Sequence, residues 1–130
     1  MAKVFLIAQP SVSREGHFPR LEGLAEFGEV HTLLPDGNQP SFRPGKTMDA
    51  LVKQLTELYS AGDYLVWAGG DTLAAFMAGV VMERLGVDEI TWLRYDRPYD
   101  EELRRRTEKG ARYVPVKVTL YNMDGKESVA

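Results

Sequence analysis

The stretch Gly69-Gly70-Asp71-Thr72 carries the residues best suited to chemistry, and it joins one apolar run to another of different spacing. Two glycines let the backbone approach an anion, and a helix that begins there offers unpaired N–H groups and a partial positive charge. A nucleotide phosphate fits such a turn, with Mg²⁺ near Asp71 implied only if a nucleotide binds. In the other interpretation the glycines form a tight turn, and Asp71 or Thr72 caps the helix. This structural interpretation is favoured because the motif is short.

The first loop of the chain is a second candidate for ligand contact. In a parallel sheet this loop meets the glycine turn beyond the carboxyl ends of the strands. Its candidate ligand-binding residues are Gln9, Ser11, Ser13 and Arg14. A serine nucleophile with His17 as its base is conceivable, but no third triad member or oxyanion hole can be identified from the sequence. We therefore predict no catalytic residue, and two histidines without cysteine argue against a zinc site.

A third candidate is the basic segment Arg94–Arg112. On a short helix, Glu101 and Glu102 would each lie four residues before an arginine and pair with it, which predicts a solvated charged connection. The sharper interpretation is a segment that binds an acidic protein or a nucleic-acid backbone. Tyrosine and arginine are enriched at interface hot spots, which supports it. The candidate partner-binding residues are Arg94, Tyr95, Arg97, Tyr99, Arg104, Arg105, Arg106 and Arg112.

The distribution of charge limits the choice of partner. A net charge of −3 argues against a general nucleic-acid binder, because phosphate neutralisation needs a positive surface. Residues 94–117 hold eight basic and five acidic residues, whereas residues 1–93 hold seven basic and twelve acidic ones. An anionic partner is therefore expected at residues 94–117, and a protein is favoured over nucleic acid.

Apolar patterning predicts the elements that position these candidates. Strands are expected at residues 3–8, 29–34, 64–68, 89–95 and 113–121, and helices at 19–28, 47–62 and 72–86. Alternation of strand and helix favours a mostly parallel sheet in the order 2-1-3-4-5, with the fifth strand in either direction. Pro115 places the fifth strand at an edge, because proline lacks the N–H that a central strand donates.

The stretch "LAAFMAGVV" within the third predicted helix is interpreted as a packing motif rather than a dimerisation or membrane motif. It is too short to cross a bilayer. The small residues expected to let the helix lie close to the sheet are Ala74, Ala75, Ala78 and Gly79, with Phe76, Met77 and Val80 filling its sides.

Length and composition predict one domain. The chain has 130 residues, 44% of them hydrophobic and none of them cysteine, which suits a compact core without disulfides. We expect a single small α/β domain over residues 1–121, flavodoxin-like or Rossmann-like with three layers, and a flexible C-terminal tail over residues 122–130. The short apolar run at the N-terminus predicts neither a signal peptide nor a membrane span, so a soluble cytoplasmic protein is expected.

Two resemblances add to these predictions. Val66–Ala75 resembles the Gly-Gly-Asp-Gly-Thr turn of NAD kinases, diacylglycerol kinases and phosphofructokinases, where the motif contacts nucleotide phosphates; the glycine after the aspartate is missing here. A wider resemblance covers almost the whole chain. The stretches "VFLIAQPSVSR", "GEVHTLLPDGNQPSFRPGK", "DYLVWAGGDTLAAFMAGVV", "ITWLRYDR" and "ARYVPVKV" resemble a group of short proteins of tailed bacteriophages. This resemblance implies the cytoplasm of an infected bacterium and no particular activity.

The sequence thus favours a small phage-type binding protein over an enzyme. Its expected partner is a host or phage macromolecule, bound non-covalently, and no cofactor is required. The alternative is a nucleotide-binding or nucleotide-processing enzyme that uses the Gly69–Thr72 turn.

Overall fold

The computed structural model describes residues 1–8, 12–13, 16–17, 21–34, 45–67 and 72–120. In these ranges the elements in chain order are β1 (Lys3–Ala8), β2 (Val12–Ser13), β3 (Gly16–His17), a 3-10 helix (Glu22–Glu26), β4 (Glu29–Leu34), α1 (Gly45–Leu58), β5 (Tyr64–Val66), α2 (Thr72–Arg84), β6 (Glu89–Asp96), β7 (Tyr99–Asp100), β8 (Arg105–Arg106) and β9 (Arg112–Thr119). The expected C-terminal tail lies outside the described residues.

A five-stranded sheet with the order β4-β1-β5-β6-β9 organises the molecule. Pairing is parallel from β4 to β6, and only β9 runs antiparallel to its neighbour. The predicted mostly parallel sheet, its strand order and the edge position of the fifth strand are confirmed. The finer assignment to a three-layer flavodoxin-like or Rossmann-like fold stays a prediction.

Strand β1 lies in the interior of this sheet because its sequence is apolar on both faces. Val4–Ala8 are all buried, as a strand covered from both sides requires. Phe5 and Ile7 face α1 and α2 and pack with Leu51, Leu55 and other residues of those helices. This face holds the larger of the two apolar clusters.

The opposite face of the sheet is covered by the 3-10 helix, and the predicted α-helix over residues 19–28 is therefore wrong. Only Leu24 of the 3-10 helix is fully buried, where it packs with Leu6 and Tyr113. Leu21 and Phe27, three residues to either side of Leu24, are half-buried against the same cluster. Side chains three residues apart align along a 3-10 helix, which has three residues per turn, so this spacing suits a 3-10 helix. Gly28 ends the segment at φ +156°, and a Cβ there would lie 2.0 Å from the carbonyl oxygen of Ala2.

The register of β9 explains how the sheet tolerates Pro115. The Leu120 N–H donates to the Asp88 carbonyl oxygen at 2.8 Å, so even-numbered residues of β9 direct their N–H groups towards β6. Pro115 lies opposite Leu93 with its nitrogen directed away from the sheet, where no ladder bond is lost.

The side chains of β9 are not divided into buried valines on one face of the strand and exposed polar residues on the other. Tyr113 is buried, whereas Val116 and Val118 are 38% and 42% exposed. Tyr113 is covered because the 3-10 helix lies on its side of the sheet, and a Cβ on Gly23 would lie 3.4 Å from its ring.

Candidate functional site

The basic segment between β6 and β9 contains a β-hairpin, so the short helix on which Glu101 and Glu102 would pair with arginines does not form. Strand β7 pairs antiparallel with β8, with Tyr99 opposite Arg106 and Asp100 opposite Arg105. Leu103 is the only large aliphatic side chain between residues 97 and 107, so a helix there would have no apolar stripe to bury. A two-stranded hairpin forms its backbone hydrogen bonds without such a stripe.

Local interactions hold the hairpin turn. The Asp100 carboxylate accepts a hydrogen bond from the Leu103 N–H at 3.0 Å. Across the base, the Thr107 N–H donates to the Pro98 carbonyl oxygen, also at 3.0 Å. Arg104 adopts φ +52°, the left-handed conformation common in four-residue hairpin loops. The turn is therefore shaped by an aspartate and a left-handed arginine rather than by glycine.

One face of the hairpin carries a stacked aromatic and guanidinium pair. The Arg106 Cζ lies 6.0 Å from the centroid of the Tyr99 ring, and the Arg106 Nη1 donates to the Arg97 carbonyl oxygen at 3.1 Å. Tyr99 is 48% exposed, and Leu103 at the tip of the hairpin is 54% exposed. The face thus combines apolar area with a fixed positive charge.

Most arginines of this segment have no carboxylate partner, which overturns the predicted helical ion pairs. Within the described part of the chain, no ion pair involves Arg94, Arg104, Arg105, Arg106 or Arg112, and all five are exposed. Although Asp100 lies opposite Arg105, its carboxylate is engaged by the turn. The arginines are consequently available to an external anion.

The root of the hairpin is built from tyrosines. The Tyr95 hydroxyl donates a hydrogen bond to the Glu108 carboxylate. The centroids of the Tyr95 and Tyr113 rings are 5.0 Å apart, and the two ring planes meet at 53°. Burial raises the pKa of Tyr113 above its ordinary value of 10.0, and the neighbouring Tyr95, Glu22 and Glu108 raise it further. Tyr95, predicted to contact a partner, is half-buried and ties the hairpin to the sheet.

Only some of the predicted partner-binding residues lie together on the hairpin. Tyr99 and the Arg104–Arg106 run lie on the projecting hairpin, whereas Arg94 and Arg112 lie on β6 and β9 beneath it. Sequence reasoning missed Leu103, although an isolated leucine among charged residues is a signal for an exposed apolar contact.

The predicted ligand edge is described only in part. Gln9, Ser11, Arg14, Gly69, Gly70 and Asp71 lie outside the described residues. Ser13 belongs to β2 and pairs with Gly16, and Thr72 is the exposed first residue of α2. Phosphate binding at the glycine turn, and the likeness to the kinase turn, therefore stay predictions.

Two further features of the described ranges bear on ligands. No group of three or more histidine, aspartate or glutamate side chains there could hold a metal ion. A surface groove of about 550 Å³ lies at the amino ends of β5 and β6, between residues 59–62 and 85–89. It is at the opposite end of the sheet from the predicted ligand edge.

No helix among the described residues has the length and apolar character needed to span a membrane.

Together these features define a mixed α/β protein with a charged hairpin inserted before its last strand. The family model for Phage Pam3 gp32-like proteins matches residues 2–104, which run from β1 to the hairpin turn. The chain therefore belongs to the Phage Pam3 gp32-like protein family, and the predicted resemblance to phage proteins is confirmed. Comparisons with curated proteins and with solved structures found no match.

Proposed function

We propose that this protein binds an acidic surface of a host or phage protein through the hairpin of β7 and β8, in the cytoplasm of an infected bacterium. The observation that carries the proposal is the set of exposed arginines that form no ion pair within the described residues. Arginine forms bidentate hydrogen bonds to carboxylates, so an acidic partner matches this set.

The form of the hairpin also supports a binding role. Its turn is held by Asp100 and its base by the bond between Thr107 and Pro98, so the backbone is organised before a partner arrives. Preorganisation reduces the conformational entropy lost on binding. Tyr99 and Leu103 add exposed apolar area beside the arginines, and such area supplies the desolvated centre of many interfaces.

A protein partner suits the hairpin better than nucleic acid does. Asp100, Glu101 and Glu102 lie on the same projection as the arginines and would repel a phosphate backbone. A folded protein surface can place carboxylates against the arginines and basic or neutral groups against the glutamates. The mixed charge therefore favours specificity over general anion binding.

The test compares two triple variants. Replacing Arg104, Arg105 and Arg106 by serine should reduce capture of the partner from lysate of infected cells, and the remaining binding should lose its salt dependence. The free energy of unfolding of both variants should stay within about 1 kcal/mol of the wild-type value, because the substituted positions are exposed. The matched control removes the same charge from the helices by replacing Lys46, Lys53 and Arg84, all exposed, by serine.

Equal capture by the hairpin variant and the wild type across a salt titration would contradict the proposal. Capture that nuclease treatment removes would indicate nucleic acid as the partner instead. Loss of capture in the control variant as well would show that total charge, rather than the hairpin, determines binding.

We also infer that the domain is flavodoxin-like. The strand order supports this assignment, as do α1 and α2 on one face of the sheet and the 3-10 helix on the other.

A further inference from the structure

The β7–β8 hairpin is joined to the rest of the molecule mainly at its root. Among the described elements, β7 and β8 have more than isolated contacts only with each other. The hydrogen bonds made by Asp100, Arg106 and Thr107 all lie within the hairpin and its base. They fix the shape of the hairpin but not its direction relative to the five-stranded sheet. That direction is therefore set by the two segments that connect the hairpin to β6 and β9.

The second connecting segment, residues 107–111, contains a tight turn that begins at Glu108. The Ala111 N–H donates to the Glu108 carbonyl oxygen at 3.0 Å, and Gly110 adopts φ +78° within the turn. A Cβ on Gly110 would lie 3.6 Å from Cγ of Pro98, which belongs to the first connecting segment. The two segments therefore lie side by side, and a contact that fixes the turn also fixes the base of the hairpin.

The Glu108 side chain joins this turn to the sheet. Its carboxylate accepts the hydrogen bond from the Tyr95 hydroxyl on β6. Tyr95 is itself held in place, because it lies opposite Tyr113 in the β6–β9 ladder and its ring packs on the buried Tyr113 ring. A hydrogen bond to a charged acceptor is stronger than one between neutral groups, and partial burial of Glu108 strengthens it further. One carboxylate thus connects a projecting element to a rigid one.

We propose that the hydrogen bond between Tyr95 and Glu108 is a latch that holds the β7–β8 hairpin in one direction relative to the sheet. With the latch formed, the hairpin arginines keep a fixed position relative to Arg94 on β6 and Arg112 on β9. Without it, the hairpin turns about its two connecting segments, and the two groups of arginines no longer form one surface of fixed shape.

Glu108 is in this case a positioning residue for the partner-binding surface. It acts through the direction of the hairpin, and it raises the affinity by reducing the conformational entropy that is lost when a partner binds. This consequence for binding rests on the proposed function, whereas the latch itself is a property of the free protein.

Spin labels on the free protein test the latch directly. The chain contains no cysteine, so two labels can be attached to introduced cysteines at exposed positions, Glu83→Cys on α2 and Glu101→Cys in the hairpin turn. Pulsed electron resonance should give one narrow distribution of distances between them. Tyr95→Phe keeps the ring and removes only the hydroxyl donor, and it should broaden the distribution, as should Glu108→Ala. Circular dichroism checks that each variant is folded.

Hydrogen exchange gives the size of the effect. Exchange of the Ala111 amide, which donates to the Glu108 carbonyl oxygen, should become about tenfold faster in Tyr95→Phe and Glu108→Ala, because a hydrogen bond to a charged group contributes at least that factor. An unchanged rate in both variants would contradict the latch.

Two further variants separate the latch from a general effect of charge. Glu108→Gln retains an oxygen that accepts from the Tyr95 hydroxyl, so it should keep the distance distribution narrow. Glu102→Ala removes an exposed carboxylate of the hairpin and should have no effect. A distribution as narrow as that of the wild type in Tyr95→Phe or Glu108→Ala would overturn the inference. Equal broadening in Glu108→Gln or Glu102→Ala would overturn it as well.

Capture of the partner from lysate of infected cells distinguishes a failure of this inference from a failure of the proposed function. Glu108→Ala should reduce the salt-dependent capture, and Glu108→Gln should retain it. Capture that is lost on substitution of Arg104–Arg106 but unchanged in Glu108→Ala would overturn the role of the latch in binding and leave the proposed function standing. Capture that the arginine substitutions leave unchanged would contradict the proposed function, and the spin-label distances would still decide whether the latch exists.

Discussion

The central strand β1 and the β7–β8 hairpin are both short extended segments, but they are held in place in different ways. Every residue from Val4 to Ala8 is buried between parallel neighbours, with apolar side chains on both faces. In the hairpin both residues of β8 are exposed, and the described contacts are a few hydrogen bonds and one cation–π pair.

This difference shows where the molecule is free to vary. A strand covered on both faces must be apolar, because an unpaired polar group there loses its hydration without compensation. The hairpin obtains its shape from its turn and its ladder, so its side chains can be charged without disturbing the core. A surface for partner contact can therefore be placed on the hairpin at little cost in stability.

The largest expected effect comes from truncating the core of β1. Phe5 is fully buried and packs between His31 and Tyr59, so Phe5→Ala should lower the free energy of unfolding by about 3–5 kcal/mol. Urea denaturation measures it. The hairpin counterpart, Tyr99→Ala, removes a ring that is 48% exposed and should change the same free energy by less than about 1 kcal/mol. Similar losses of unfolding free energy in Phe5→Ala and Tyr99→Ala would show that the hairpin is held as firmly as β1.

The next comparison is between two carboxylates: Asp63, which is bonded to the start of β1, and Asp100 in the hairpin. Asp63 is 3% exposed and accepts hydrogen bonds from the Lys3 and Ser60 N–H groups, at 2.9 and 2.8 Å, while the Lys3 ammonium lies 3.0 Å away. Asp63→Ala leaves these donors unpaired, so we expect a loss of about 3 kcal/mol in thermal or urea unfolding.

The hairpin carboxylate has one such bond, to the Leu103 N–H. Asp100→Ala should therefore lower global stability by less than about 1 kcal/mol. A larger loss in Asp100→Ala than in Asp63→Ala would show that the hairpin is part of the cooperative core.

The pH dependence of Tyr113 tests the region between core and hairpin. Its folded pKa is raised above 10.0, mainly by burial, so the unfolded chain releases this proton first as the pH rises. Stability is therefore fully present below about pH 10 and falls above it, with a limiting slope of about 1.4 kcal/mol per pH unit. Tyr113→Phe should reduce the slope between pH 10 and 11.5 in urea unfolding, and an unchanged slope would contradict the assignment.

The smallest effect is a local gain in the hairpin turn. Arg104 holds φ +52°, which costs a non-glycine residue about 1 kcal/mol, so Arg104→Gly should stabilise the turn by up to that amount. Hydrogen exchange of the Thr107 amide, which bonds to Pro98, should slow by up to about fivefold. The control Arg105→Gly, in the β8 ladder, should speed it, because glycine weakens a strand. Equal exchange rates of the Thr107 amide in Arg104→Gly and Arg105→Gly would show that the turn is unstrained.

Much of the sheet could be predicted because its signals are local. The apolar run at residues 3–8 can only suit a strand covered on both faces, and Pro115 can only suit an edge. The predicted α-helix at residues 19–28 is wrong although Leu21, Leu24 and Phe27 all pack on the sheet, because residues three apart align on a 3-10 helix as well as on an α-helix. The helical spacing of Glu101 and Glu102 from arginines misleads for a different reason: charged residues at that spacing do not stabilise a helix that has no apolar stripe to bury.

The amino-acid sequence by itself determined which segments form the five strands of the sheet, the apolar interior of β1 and the excess of arginine before the last strand. These follow from composition and from spacing over a few residues. The tertiary structure decided which arginines stand apart from the carboxylates, that Tyr113 is buried while Val116 and Val118 are exposed, and that Phe76 faces outwards. Those outcomes depend on which element covers which face of the sheet, and that coverage is set by contacts between residues far apart in the chain.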